Sequence, residues 1–217
     1  MKLVVLGATG RTGRLVVEQA LGRGHEVVAY VRRPEALAER PGLRVVGGQL
    51  TDQPALTAAI TGADAVLVAL GPSGVKDLFG SDLMRTTLPV VAAAMTAAGV
   101  RRLVLMSAFG VGDTAVPASF SARLSFQTAM RALYRDKQEA ESALAATGLD
   151  VTTVYPTMLT NGPFDAAPVV RDVATVVHVS GMPKVPRVSV ATALLDAAED
   201  PSSIGKRLLV TLPDRVR

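Results

Sequence analysis

The chain has 217 residues, enough for one compact domain whose core needs no covalent staple. It holds no cysteine, which excludes disulfides, thiolate metal sites and cysteine nucleophiles. Its net charge of +4 is spread along the chain with only 4% aromatic residues, against the patterning of a nucleic-acid binder. Hydrophobic residues make up 49%, rich in Val, Ala and Leu, with no membrane-length apolar span and no signal-like start; strands covered on both faces, a cytoplasmic location and no membrane contact are the expectations.

Residues 3–6 read as a buried strand. Gly7-Ala8-Thr9-Gly10-Arg11-Thr12-Gly13 follows directly, then a helix over 11–21 ended by Gly22 or Gly24. Strand, GxxGxxG and helix in that order form the turn that seats a dinucleotide pyrophosphate. Gly7 permits the tight turn, Gly10 lets the backbone approach the phosphates, and Gly13 lets the helix pack on the strand. Free N–H groups at the helix start then face the anion. Thr9, Arg11 and Thr12 fall where the pyrophosphate lies; Arg11 is either its charged cover or a solvated first-turn residue.

A second strand over 27–31 ends in Tyr30-Val31-Arg32-Arg33, without a carboxylate. An NAD site places an acid there for the ribose 2′-OH, whereas a guanidinium suits the 2′-phosphate of NADP. Arg32 is the candidate reader of that phosphate, with Arg33 flanking the phosphate or the adenine. A short helical piece begins near Pro34, and a strand over 43–46 leads into Gly48-Gln49-Leu50, where Gln49 can bond to the base. Asp52 caps a helix through Ile60 that Gly62 stops. The fourth strand, 65–70, ends at Gly71-Pro72 and sets Leu70 and Gly71 beside the middle of the cofactor.

A long helix over 82–98 stops at Gly99, and 101–107 supplies the fifth strand. Residues 109–125 lack periodicity and read as loop or short turns; 126–146 read as one helix closed by Gly148, and 151–155 as the sixth strand. Beyond Pro156 the pattern loosens until a helix near 190–198 and a last strand over 207–210. The alternation predicts an α/β fold: a single Rossmann domain over 1–217, mainly parallel, with helices on both faces. Ligands bind such sheets at the carboxyl ends of the strands, so 109–126 and 157–187 become the acceptor-side loops. Pro156, Thr157, Met158 and Leu159 can lie against the nicotinamide; ordinary core packing is the other reading of Met158 and Leu159. Phe109, Phe120, Phe126 and Phe164 are candidates to frame the acceptor, with Arg123 for a phosphate or propionate on it. Phe120 and Phe126 serve equally well as anchors of the loop.

Ordinary short-chain dehydrogenases need Tyr and Lys four apart on a helix, plus a serine. Here Tyr134 and Lys137 are three apart, still on one helical face. Lys137 is a candidate to act on ribose or nicotinamide, or a solvated helix lysine. Ser107 is a candidate to orient the carboxamide or the acceptor, or a strand-end cap. Hydride transfer between stacked rings needs no side-chain acid, since the proton can come from solvent. His25 and His178 build no site, and no acidic cluster or spaced histidine pair suggests a metal.

The segments VVLGATGRTG, YVRRPE, LVALG, VLMSAFG, ATGLDVTTVYPTMLTNGP and VPRVSVA resemble the atypical short-chain dehydrogenase/reductase families, nearest the flavin reductase / biliverdin-IXβ reductase type. The first segment and the Pro156 block are shared with NmrA-like relatives. The resemblance implies a metal-free NADPH enzyme, monomeric with a homodimer left open, that reduces a flavin or tetrapyrrole stacked on the nicotinamide. Flavin is then a substrate rather than a resident group. Ser107 matches the family's serine near nicotinamide and substrate, and Arg187 corresponds to a basic residue of its SR-x-D segment. Ser189 stands where the family has aspartate, and Gln49 replaces the aspartate usual after the third strand. The leading expectation is an NADPH-dependent oxidoreductase acting on a planar acceptor (flavin, quinone or tetrapyrrole). The alternatives are a non-catalytic NmrA-like NADP(H) sensor and an atypical sugar or ketone reductase or epimerase.

Overall fold

A computed structural model of the chain describes residues 1–71, 82–128, 130–162 and 168–217. Its organising element is β1 (Lys2–Leu6), whose side chains alternate between two buried faces. Leu3 and Val5 enter one core while Val4 and Leu6 enter the other, the period of two expected of a strand covered on both sides. Around it lie β2 (Glu26–Val31), β3 (Leu43–Gly47), β4 (Ala65–Val68), β5 (Arg102–Met106), β6 (Asp150–Pro156), β8 (Val169–Asp172) and β10 (Arg207–Thr211), in the order β3-β2-β1-β4-β5-β6-β10-β8. Pairing is parallel except between β8 and β10. A second, two-stranded sheet joins β7 (Met158–Thr160) to β9 (Lys184–Pro186).

Helices α1 (Arg11–Gly22) and α6 (Arg187–Glu199) pack together over one face of the main sheet, burying Val16, Val17, Ala20, Leu194 and Leu195. Helices α2 (Gln53–Ile60), α3 (Leu83–Ala98) and α5 (Arg131–Ala145) cover the other, with Leu56, Ile60, Leu88, Val91 and Met95 at its centre. The Asp52 side chain accepts the Ala55 N–H at 3.1 Å and starts α2 as expected. The fold is therefore a single-domain α/β Rossmann fold, mainly parallel with helices on both faces. Among the described residues no helix is long and apolar enough to cross a membrane.

Three sequence expectations change. The single helix over 126–146 is two. A helix α4 (Phe120–Gln127) begins inside the supposed loop, and Thr128, at φ −111° and ψ −88°, breaks the chain before α5. The Thr128 hydroxyl donates to the Leu124 carbonyl at 2.8 Å, competing with the helical ladder. The acceptor-side stretch 157–187 contains β7, β8 and β9, strands of three or four residues whose alternation is too short to read. The last helix starts three residues early, at Arg187, because Pro186 in extended conformation sits before its first turn. A third core cluster joins Phe109, Val111, Phe126, Leu133, Tyr134, Tyr155 and Leu209, all from segments after β5.

Candidate functional site

The strand order reverses at β1, which lies between β2 and β4, and the glycine turn opens there at the carboxyl edge. Gly7 has φ +86°, and a Cβ on it would lie 2.6 Å from the Ala69 carbonyl oxygen just past β4. A Cβ on Gly13 would lie 2.0 Å from the Gly7 carbonyl oxygen. The turn and the helix thus touch backbone to backbone. Gly10 caps α1 with no side chain, and the first turn holds no acid. Its N–H groups are left for an external acceptor. Thr9 and Arg11 are exposed and Thr12 is buried. Arg14, unremarked in the sequence, donates to the carbonyls of Thr9 at 3.2 Å and Ala36 at 3.3 Å, tying the turn after β1 to the segment after β2.

Arg32 and Arg33 are both exposed at the end of β2, and neither makes an ion pair or side-chain hydrogen bond among the described residues. Gln49 is exposed, and its carbonyl accepts the Tyr30 hydroxyl at 3.0 Å. Tyr30 is itself buried, and burial followed by the charge of Asp52 raises its pKa. Leu70 is buried and Gly71 exposed at the end of β4. On α6, Arg187 donates to Asn161 Oδ1 at 2.6 Å; burial and then the nearby charge of Arg11 lower its pKa. Arg11 and Arg187 stand at the first positions of neighbouring helices, a concentration of positive charge beside the turn. Among the described residues the buried Ser189 hydroxyl has no hydrogen-bond partner, at the position where the resembling family has aspartate.

Pro156 and Thr157 continue β6 into the cleft: the Pro156 carbonyl accepts the Phe109 N–H at 2.9 Å, and the Thr157 N–H donates to Val210 at 3.1 Å. Met158 is exposed, while Leu159 packs on the α1/α6 core. Ser107 follows β5, 4% exposed, and its hydroxyl donates to Glu141 on α5. The other Glu141 oxygen accepts the Tyr155 hydroxyl at 2.7 Å. Burial, the Glu141 charge and the Glu141 bond all push Tyr155 up. Arg207 lies over the Tyr155 ring, 5.3 Å from its centroid, with Nε 3.4 Å from the hydroxyl, and ion-pairs Asp113. The Asp113 bond raises Arg207 and, reciprocally, lowers Asp113.

Lys137 is 5% exposed and makes no hydrogen bond or ion pair among the described residues. Burial lowers its pKa against the opposing charges of Glu141 and Asp136. Asp136 accepts the N–H groups of Met84 and Arg85, both at 3.0 Å, and so anchors the start of α3.

The expected acceptor frame is only partly assembled. Phe109 and Phe126 meet edge to face at 6.0 Å, and Tyr134 meets Phe126 at 5.2 Å with its ring tilted 46°. The Tyr134 hydroxyl donates to the Phe109 carbonyl at 3.1 Å, and burial pushes its pKa up to about 12. These three rings make a core, and Tyr134 makes no hydrogen bond to Ser107 among the described residues. Phe120 is 83% exposed, and Arg123 is exposed without an ion pair among the described residues. Phe164 lies outside the described residues. Sequence reasoning missed Glu141, Tyr155, Asp113 and Arg207. Only Glu141 left a signal, one turn beyond Lys137 on the face shared with Tyr134.

A glycine cradle that any Cβ would fill, an uncapped helix start and unpaired arginines at the end of β2 fit an NAD(P) dinucleotide. The chain belongs to the NAD(P)H-binding family, whose model matches residues 7–201.

Among curated proteins it is similar to the uncharacterized chloroplastic protein At2g34460 of Arabidopsis thaliana, 32% identical over 75% of this chain and 60% of that one. It spans between 54% and 60% of the length of the first three such relatives. Two solved structures share the fold. One is a short-chain dehydrogenase/reductase from Veillonella parvula in complex with NADP, with TM-score 0.81 and 18% identity over 100% of this chain and 96% of that one. The other is ChuY, an anaerobillin reductase from Escherichia coli O157:H7, with TM-score 0.78 and 24% identity over 99% and 98%.

Proposed function

We propose that this protein is an NADPH-dependent reductase that passes hydride to a planar acceptor of the flavin, quinone or tetrapyrrole class. One observation carries the choice of chemistry: the tyrosine nearest the orthodox position has its hydroxyl bonded to the Phe109 carbonyl rather than to Ser107. A reaction that needs only aligned rings and solvent protons suits such a site. Bound NADPH would supply the hydride. The α1 start, with Thr9 to Gly13, holds the pyrophosphate. Arg32 and Arg33 read the 2′-phosphate, Gln49 meets the adenine, and Leu70 and Gly71 pass the middle of the cofactor. Residues 156–159 back the nicotinamide, Ser107 orients the rings, and Lys137 acts on the ribose or the nicotinamide. Residues 109–126 and 157–187 border the acceptor. The reaction of ChuY, a protein of the same fold, supports the tetrapyrrole end of the class.

The same position of Tyr134 favours a second reading, an NADP(H) sensor without turnover. Mixing protein, NADPH and FMN and following the near-ultraviolet band of the reduced cofactor separates the two. Oxidation above the protein-free rate is the expected result. Tight NADP(H) binding with no oxidation by flavins, quinones or tetrapyrroles would reject the reductase.

A further inference from the structure

Helix α4 shows an apolar face to solvent as well as to the core. Ala122 and Phe126 are buried, and the helical repeat sets Phe120 and Leu124 on the opposite side, away from the protein. Phe120 is 83% exposed and Leu124 53%, and Val116, four residues before Phe120, is 70% exposed. A neighbouring segment extends this ridge. Ala118 bridges to Val179, and the Ser119 hydroxyl donates to the Gly181 carbonyl at 3.3 Å. Met182 and Lys184, both exposed, follow directly beside the start of α4. The charge around the ridge has one sign: neither 114–135 nor 173–195 contains an aspartate or glutamate. Arg123, flanking the Phe120–Leu124 face, and Lys184 make no ion pair among the described residues.

We infer that this face rests on an anionic lipid bilayer, with Val116, Phe120 and Leu124 inserted at headgroup depth and Arg123 and Lys184 against lipid phosphates. Apolar side chains that project from a ridge, flanked by long cations, suit an interface of acyl chains and acidic headgroups. A fluid surface needs no matching groove. A second copy is a poorer cover, because pairing α4 with its counterpart would bring the cations of both copies together. Contact of this kind needs no spanning helix, so it departs from the absence of membrane contact expected of the sequence without requiring a longer helix. Lipid binding at this face is independent of the reductase reading.

The test is flotation of the protein with vesicles of phosphatidylcholine, alone or mixed with an equal part of phosphatidylglycerol. Wild type is expected to bind the mixed vesicles at least about tenfold better, with high salt removing the difference. Phe120→Ser combined with Leu124→Ser should weaken that binding by at least about tenfold. Its melting midpoint should stay within about 2 °C of wild type, because both side chains are exposed. Arg123→Gln combined with Lys184→Gln should bring the two vesicle types within about threefold of each other. The chain has no tryptophan, so Phe120→Trp puts a single indole on the face, and mixed vesicles should shift its emission to the blue. Equal binding to both vesicle types, full binding by the double serine variant, or an unshifted indole would overturn the inference. A wild-type dimer that the double serine variant abolishes, without vesicle binding, would assign the face to a second copy and overturn it too. Binding of poly-glutamate but not of vesicles would assign it to an acidic protein, with the same consequence.

Discussion

Replacing Gly13 by alanine tests the turn on which cofactor binding depends. The added Cβ would stand 2.0 Å from the Gly7 carbonyl oxygen, 2.7 Å from its carbon and 3.1 Å from the Ala8 Cα, all of them backbone. Separation to even the closest tolerated contact demands a shift of about 1 Å. Helix α1 cannot give way easily, because Val16, Val17 and Ala20 are buried beneath it. Overpacking of this kind costs about 1–3 kcal/mol, and at this chain length each kcal/mol lowers the melting midpoint by about 2–4 °C. A fall of about 1–10 °C is expected, since alanine's better helix propensity returns about 0.5 kcal/mol. Gly10→Ala provides the contrast. Its Cβ would meet only the Gly7 oxygen, at 3.1 Å, on an exposed surface. That variant should melt within about 2 °C of wild type yet bind NADPH at least about tenfold more weakly, because the methyl stands where the phosphates approach. Thermal melts and fluorescence titration with NADPH read both effects. Wild-type melting in Gly13→Ala, or wild-type affinity in Gly10→Ala, would refute the reasoning.

Arg32→Ala should weaken NADPH by about ten- to a hundredfold and NADH by less than about twofold, the difference being the charge-assisted bonds to the 2′-phosphate; equal losses would remove Arg32 from that role. Tyr134→Phe strands the buried Phe109 carbonyl and should cost about 1–2 kcal/mol of stability with kcat within about twofold. A hundredfold loss of kcat at unchanged stability would instead make Tyr134 the acid. Burial lowers the folded-state pKa of Lys137, so between that value and the unfolded value the unfolded chain carries the extra proton. Stability due to this group therefore rises with pH across that window. In denaturant titrations from neutral pH to about 10, the gap between Lys137→Met and wild type should close as pH rises; a constant gap would contradict the burial cost.

The first half of the fold was legible because its signals are local. Alternating side chains in β1, the glycine turn and the Asp52 cap each lie within a few residues. The segments after β5 were opaque for the opposite reason. One backbone excursion at Thr128 turns a periodic stretch into two helices, and β7 and β9 are too short to show any period. The network behind Ser107 joins Glu141 to Tyr155, 14 residues apart, and Arg207 to Asp113, 94 residues apart, so no window contains it. Tyr134 and Lys137 both lie buried on α5. What their spacing omits is Phe126, which draws the tyrosine ring into an aromatic cluster.

That third cluster has an evolutionary consequence. Its side chains are drawn mostly from segments after β5, whereas the dinucleotide side is walled by β1, β2 and the helices above them. Mutations among Phe109, Phe126 and their neighbours can be absorbed there without disturbing the packing around the glycine turn. A lineage built on this scaffold can vary the packing beyond β5 while the glycine turn and the strands around it stay the same.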